Sequence, residues 1–347
     1  MLLLDFNVFN INELQGNCDL EKNIISFYND WASTSKTMIV KTSGSTGNPK
    51  LIEVEKKSMR NSANKTLDFL GIKTGSTALL ALPLEYISGK MMMVRAIERN
   101  LKLQIVTPSL RPLKDLKNKI NFCALTPLQV ENSLDKIHLI QNLIIGGAKI
   151  SINLIEKIHL QLGKKSDCKI YETFGMTETL SHIALKQIYP TVHDYFEILN
   201  GVEISVDDRN CLNIFAPEIN NNTIQTNDIV QLIDNNRFQF LGRTDFVINT
   251  GGIKIFPEKI EDFIKKTISN EVVVIGLPNE LLGNKVVAVI EAESITIQEK
   301  QLITNSINDI EFEHKFQKPK EIIFISKIPR TENGKIDRNS LIKLLQE

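Results

Sequence analysis

A chain of 347 residues with 41 Lys+Arg against 41 Asp+Glu carries no formal net charge, which excludes the basic footprint of a general nucleic-acid binder. Its 42% hydrophobic and 24% charged residues are ordinary for a globular protein, and a chain this long buries a core without covalent staples. Intrinsic disorder and a small disulfide scaffold are excluded on the same grounds, and the length implies two or three domains at roughly 100–200 residues each. Cys18, Cys123, Cys168 and Cys211 form no C-x-x-C pair and no cluster with zinc spacing. They are expected to be buried small hydrophobes rather than a disulfide framework. The apolar start at 1–6 lacks a basic flank, and Asp5 and Asn7 end it too early for a signal peptide. No stretch approaches about 18 apolar residues. The expectation is a cytoplasmic protein with no membrane span.

In chain order, residues 1–37 read as a polar lead-in with one helix over 20–31. An apolar run at 38–40 breaks into 42–50, a loop dense in turn formers, and resumes as a strand at 51–54. Units then alternate: helix 56–70, strand 78–81, helix 89–99, strands 103–106, 122–125 and 143–145, helix 152–162, strand 169–173. Strands separated by helical patterns predict an α/β layered architecture with mostly parallel pairing. After Tyr189 the short strands 203–206, 212–215, 229–233 and 238–241 predict an antiparallel β region. Beyond Gly242 come a glycine pair, a helix from Pro257 to 268, strands 272–275 and 286–291, helix 299–308, strand 322–325 and a last helix at 338–345. The expected fold class is α/β: a large layered N-terminal domain with a β-rich end over 1–243, and a small α+β C-terminal domain over 246–347.

Four segments carry chemistry. In Thr42-Ser43-Gly44-Ser45-Thr46-Gly47-Asn48-Pro49-Lys50, Pro49 stands where a Walker A loop has its second glycine. The two glycines let successive N–H groups converge on phosphate oxygens, and the hydroxyls and Lys50 add donors and charge. Alone, the segment also fits a flexible Ser/Gly hairpin turn. The segment 171–179 ends a strand in an aromatic–glycine turn. Phe174 can cover a purine face, and Glu178 is a hard oxygen ligand suited to Mg²⁺ held with a nucleotide phosphate. Alone, it is an ordinary turn with a solvated Glu. The third segment, 242–261, joins the Arg243–Asp245 pair to Gly251-Gly252 and a helix begun by Pro257. In the fourth, Asn333-Gly334 is a tight turn that presents Lys335 at its tip, ordinarily a solvated surface position.

All four together, in this order, resemble the adenylate-forming superfamily: acyl-CoA synthetases, luciferases and peptide-synthetase adenylation domains. That family's phosphate loop, S/T-S-G-S/T-T-G-x-P-K, fits 42–50 at every position, and its Y-G-x-T-E motif is matched at Gly175, Thr177 and Glu178 with Phe174 for tyrosine. Gly146-Gly147-Ala148 matches its G-G-A turn beside adenine. Thr226-Asn227-Asp228 stands at its T-G-D, with Asn227 for glycine. The resemblance implies that Thr173, Phe174, Gly175, Met176 and Thr177 line the nucleotide and that Asp228 and Arg243 hold the ribose. It also implies a hinge at 244–245 on Asp245, glycines 251 and 252 beside the CoA channel, and Lys335 driving adenylation with Thr177 and Glu178. The C-terminal domain is then mobile, ATP, Mg²⁺ and CoA are the cofactors, and the partner is a small-molecule carboxylate. The oligomeric state is left open.

Within the superfamily, Pro83-Leu84-Glu85-Tyr86-Ile87-Ser88-Gly89 looks like the P-L-x-H-x-S-G of 2-succinylbenzoate–CoA ligases of menaquinone biosynthesis, with Tyr86 at the histidine. Residues 175–184 resemble their G-M-T-E-T-x-S-x-I-A. Tyr86, Ser88, Gly89, Ser181 and His182 are thereby implied as acyl contacts, with Glu178 holding the metal. The chain departs from the superfamily in having about forty residues before the phosphate loop, so the first subdomain is shortened. The G-E-L-x-x-x-G-P strand survives only at Leu212 and Pro217. Two other readings stand beside this one. An adenylating enzyme could load a carrier protein instead of CoA. A non-catalytic nucleotide-binding remnant would have no need of Glu178, Arg243 and Lys335 together.

Overall fold

The computed structural model describes residues 2–41, 51–164, 166–330 and 336–346. The first part of the chain alternates β1 (Leu2–Asp5), α1 (Asp19–Ala32), β2 (Thr37–Lys41), β3 (Leu51–Glu55), α2 (Lys56–Phe69), β4 (Thr77–Leu80), α3 (Ile87–Glu98), β5 (Lys102–Ile105), β6 (Ile120–Leu125), α4 (Pro127–Glu131), β7 (Ile140–Ile145), α5 (Ile152–Leu162) and β8 (Lys169–Gly175). Strands β5, β4, β6, β7 and β8 lie side by side and pair in parallel, as expected, and β1 adds to β5 antiparallel. Both faces of the parallel section are covered, which is why strands such as β4 and β6 carry buried apolar residues on both faces. In β4, Ala78 and Leu80 face a core shared with α1, α2 and α3; Leu79 and the following Ala81 face the core under α5. Helix α4 starts on a reciprocal cap between Thr126 and Gln129. Helix α5 starts on Ser151 and stops at Gly163, where φ is +61°.

The antiparallel region is not a separate body. β9 (His182–Tyr189), β10 (Phe196–Ile198), β11 (Glu203–Val206), β12 (Cys211–Ala216), β13 (Asn220–Asp234) and β14 (Arg237–Arg243) continue the same sheet. The described order is β1-β5-β4-β6-β7-β8-β9-β10-β14-β13-β12-β11. The join is β9, antiparallel to β8 and buried along most of its length. Three of the cysteines are buried as expected, but Cys18 is exposed, because it precedes α1 on the solvent side of its first turn.

A second sheet follows, built from β15 (Ile248–Thr250), β16 (Ile253–Ile255), β17 (Val272–Asn279), β18 (Gly283–Glu291) and β19 (Glu321–Ile325), with α6 (Pro257–Lys265), α7 (Ile297–Asn308) and α8 (Arg338–Gln346). Val272 and Val274 face Ile260, Ile264 and Ile307; Val273 and Ile275 face Ile328 and Leu341. Arg338 clamps α8 to this sheet. Its Nη1 donates to the Val274 carbonyl at 2.7 Å and its Nη2 to Glu261 Oε2 at 2.9 Å. The two sheets meet where α6 packs on β14 and α5, with Lys149 Nζ 2.8 Å from Asp262. No helix among the described residues is long and apolar enough to cross a membrane.

Candidate active site

The segment 42–50 and Lys335 lie outside the described residues, but their frames are defined. β2 and β3 form an antiparallel hairpin whose last pair is Lys41 with Leu51. Lys41 also bridges to Tyr86, and its Nζ sits 5.4 Å from the centre of the Tyr86 ring. Lys90 Nζ donates to the Ile39 carbonyl at 3.0 Å. The acyl segment named from sequence is thus stapled to the hairpin that carries the expected phosphate loop. Within it, Gly89 is buried against the Pro83 carbonyl, where a side chain would collide, while Ser88 is exposed. The Lys335 segment is bounded by a bridge between Arg330 and Ile336, and Asp337 N donates to the Pro329 carbonyl at 2.9 Å.

On the sheet side, β8 delivers its residues to alternating faces. A Cβ on Gly146 would collide with Thr173 Oγ1, so these two expected nucleotide contacts touch. Gly147, at φ +89°, needs glycine for its backbone, and Ala148 beside it is exposed. Half-buried Phe174 packs on Phe196, Phe238 and Phe240 at centroid distances of 5.4, 5.0 and 6.1 Å. Gly175 lies against the Ser181–His182 backbone, which excludes any side chain. Met176 N donates to Thr179 Oγ1 at 3.0 Å, closing a tight turn with Glu178 exposed on it. Thr177 and Glu178 border a cleft of about 650 Å³ whose other wall is β3, the start of α2 and residues 217–222. Glu178 is a carboxylate open to that cleft, a donor of the hard-oxygen kind that Mg²⁺ takes.

Asp228 and Arg243 face each other across β13 and β14. Arg243 Nη1 donates to Asp228 Oδ1 at 3.2 Å, and its Nε and Nη2 hold Asp245 Oδ2 at 3.2 and 2.7 Å. Asn227 Nδ2 donates to Asp245 Oδ1 at 3.1 Å. Burial pushes the Asp228 carboxyl above its usual range, against the pull of Arg243. Gly251 and Gly252 form the turn between β15 and β16 with φ of +55° and +80°. Gly251 N donates to the Leu282 carbonyl at 2.9 Å. Among the described residues no hydrogen bond joins this turn to Thr177 or Glu178.

Sequence reasoning missed Arg95. It is 2% exposed, on the buried face of α3, and pairs with no carboxylate among the described residues. Its Nη2 donates to Ser181 Oγ at 2.8 Å and to Thr66 Oγ1 at 3.4 Å, Nη1 reaches only Met92 Sδ at 3.8 Å, and Nε is buried with no partner. Burial pulls the guanidinium down to about 10. His182, beside it, is kept neutral by burial and then by the Arg95 charge. The signal was a single Arg inside the apolar run 91–97. A buried cation with free donors costs several kcal/mol unless an anion joins it.

The chain matches the AMP-binding enzyme family over residues 27–215, more than half its length. It belongs to that family. The matched span of this AMP-binding enzyme runs from α1 into β12. It takes in the β2–β3 hairpin, Arg95 and the Thr177–Glu178 turn, and stops short of Asp228, Arg243 and the second sheet. The AMP-binding enzyme is 28% identical to the 2-succinylbenzoate–CoA ligase of Listeria monocytogenes serovar 1/2a, over 90% of its own length and 70% of that ligase. It superposes with a TM-score of 0.65 and 29% identity on an acyl-CoA synthetase (AMP-forming)/AMP-acid ligase II-like protein of Dyadobacter fermentans, with 99% of each chain covered. With the o-succinylbenzoate CoA synthetase of Bacillus subtilis, in complex with the acyl-adenylate OSB-AMP, the TM-score is 0.71 at 18% identity over 87% of this chain and 68% of that one. This last likeness is one of fold.

Proposed function

We propose that this AMP-binding enzyme is a 2-succinylbenzoate–CoA ligase of menaquinone biosynthesis, working in the cytoplasm. The substrate carboxylate attacks the α-phosphorus of ATP, giving the acyl-adenylate and pyrophosphate. The CoA thiol then attacks the acyl carbonyl and AMP leaves. The observation that carries the reading is Arg95. 2-Succinylbenzoate has two carboxylates, and only one is consumed in activation. The other remains an anion, and a buried guanidinium with unused donors beside Ser181 and His182 is the kind of partner such an anion requires. Identity to the Listeria ligase supports the same choice.

In this reading the residues divide the work. Two anions must meet in the first step, so positive charge and positioning carry it. Lys335 bridges the carboxylate and the α-phosphate, and 42–50 holds the departing pyrophosphate. Mg²⁺, when bound at Glu178, neutralises phosphate charge. Thr173, Phe174, Gly175, Met176 and the turn 146–148 line the adenine side, and Asp228 and Arg243 take the ribose hydroxyls. Residues 246–347 then rotate about Asp245, withdrawing Lys335 and bringing Gly251 and Gly252 to the pantetheine path. The test is ATP–pyrophosphate exchange. 2-Succinylbenzoate is expected to stimulate it well above 4-oxo-4-phenylbutanoate, the same acid without the ring carboxylate. Equal stimulation by both acids would remove Arg95 from the reading.

A further inference from the structure

We infer that His182 is a positioning residue: acting through Ser181 and Thr66, it fixes the Arg95 guanidinium in the orientation that receives the second carboxylate of the substrate. The inference rests on the substrate reading above and adds to it how the cation is held.

The argument is a count of hydrogens in a closed ring of buried groups. Thr66 Oγ1 donates to the Ser62 carbonyl, one turn back in α2, at 3.2 Å. A hydroxyl has one hydrogen, so only lone pairs of Thr66 remain for its other neighbours. Those neighbours are His182 Nε2 at 3.0 Å and Arg95 Nη2 at 3.4 Å. The imidazole must therefore carry its proton on Nε2. Its bare Nδ1, 3.3 Å from Ser181 Oγ, then takes the Ser181 hydrogen. With that hydrogen committed, a lone pair of Ser181 Oγ is turned toward Arg95 Nη2 at 2.8 Å. Donation runs one way, from Arg95 to Ser181 to His182, and from His182 to Thr66 to the helix carbonyl. One edge of the guanidinium is anchored, and Nε and Nη1 keep donors with no oxygen partner among the described residues.

His182 itself is 6% exposed and stands at the head of β9, while Thr66 and Arg95 come from α2 and α3. The ring therefore ties both helices to the sheet at the point where the anion would arrive. Protonating His182 would break the pattern twice, by turning an N–H on Ser181 and by setting a second cation beside Arg95. Burial and the Arg95 charge both oppose that proton.

The experiment compares two acids and three variants. His182→Leu removes the acceptor for Ser181. It is expected to raise KM for 2-succinylbenzoate by about tenfold or more, as for loss of a charge-assisted contact. The fall in kcat/KM is expected to be about tenfold larger for 2-succinylbenzoate than for 4-oxo-4-phenylbutanoate. His182→Asn, whose side-chain oxygen can take the Ser181 hydrogen, is expected to restore most of the loss. Ser181→Ala, which keeps the imidazole, is expected to show the same selective loss and guards against a folding defect in the leucine variant. Equal rises in KM for both acids would overturn the inference. A ¹⁵N spectrum of the ligand-free protein gives a readout independent of substrate. The Nε2–H tautomer, with Arg95 Nη signals that sharpen in wild type and merge in His182→Leu, supports the inference; an Nδ1–H tautomer overturns it. If wild type activates neither acid, the substrate reading alone fails, and the spectrum still decides whether His182 orders Arg95.

Discussion

Arg243 stands directly opposite Asp228 on neighbouring antiparallel strands, its Nη1 3.2 Å from Asp228 Oδ1, while its other nitrogens grip Asp245. One guanidinium thus touches both a candidate ribose carboxylate and the candidate hinge residue. The pairing depends on β13 and β14 keeping register through an irregularity between Ile229 and Val230.

If this pair holds the ribose, losing either member removes charge-assisted hydrogen bonds. Arg243→Ala and Asp228→Ala are each expected to weaken ATP and AMP binding by about 10–100-fold, the equivalent of roughly 1.5–3 kcal/mol. Nucleotide titration by calorimetry measures this. Unchanged affinity in both variants would place the ribose elsewhere.

Glu258 opens α6 against Gly242, where a Cβ would come within 2.8 Å of its Oε2, and that oxygen is buried with no hydrogen-bond partner among the described residues. Burial raises its pKa, with Arg338 opposing. A carboxyl with a raised folded pKa adds stability that is whole below its unfolded value and lost as pH rises through the folded one. Glu258→Gln is therefore expected to be more stable than wild type at pH 7 by about 1 kcal/mol, read from denaturant melts, and level with it near pH 4. A gain that persisted unchanged in acid would contradict the burial argument.

His182 gives the opposite slope. Its folded pKa is depressed by burial and then by Arg95, so the unfolded chain takes up the proton first as pH falls. Its contribution is full above about pH 6.5 and declines below it, by at most about 1.4 kcal/mol per pH unit, until the folded imidazole also titrates. Thermal melts of His182→Asn between pH 7.5 and 5 are expected to fall less steeply than those of wild type. Parallel curves would mean that His182 takes up its proton alike in the folded and unfolded protein, against the burial argument.

Much of this was readable from the residues. The alternation of strand and helix up to β8 is legible because strands such as β4 and β6 hold short apolar runs and a helix such as α5 starts and stops on turn formers, Ser151 and Gly163. The continuous sheet of twelve strands among the described residues was not, because β10 has three residues and β9 begins at His182, just after Ser181, where the pair looks like a polar turn. β15 and β16 are equally short and were hidden around Gly251-Gly252. The motif residues were legible by type, but their geometry was not. Nothing in sequence says that Asp228 and Arg243 share a register, or that His182 is shut from solvent. Arg95 announced itself only as one charge in an apolar helix, a pattern that also fits a side chain reaching outward to water.

The two-step use of the site can be split by two variants. Lys335→Ala is expected to lower adenylation by about 10²–10³-fold, as for other preorganised donors, yet still convert preformed acyl-adenylate to thioester. Gly252→Leu is expected to keep pyrophosphate exchange and lose the CoA step. None of the described residues lies within 4 Å of a Cβ there, but φ of +80° makes the leucine strained by about 1–2 kcal/mol, so melts must accompany the kinetics. Equal loss of both half-reactions in both folded variants would rule out rotation about Asp245.

The most direct test of the whole account is the product itself. Purified protein incubated with ATP, Mg²⁺, 2-succinylbenzoate and CoA is followed by mass analysis of the thioester and by AMP release. The account requires 2-succinylbenzoyl-CoA and AMP in equal amounts, with Arg95→Gln forming far less of both at limiting acid. Formation of a thioester only from acids with a single carboxylate, with none from 2-succinylbenzoate, would contradict it.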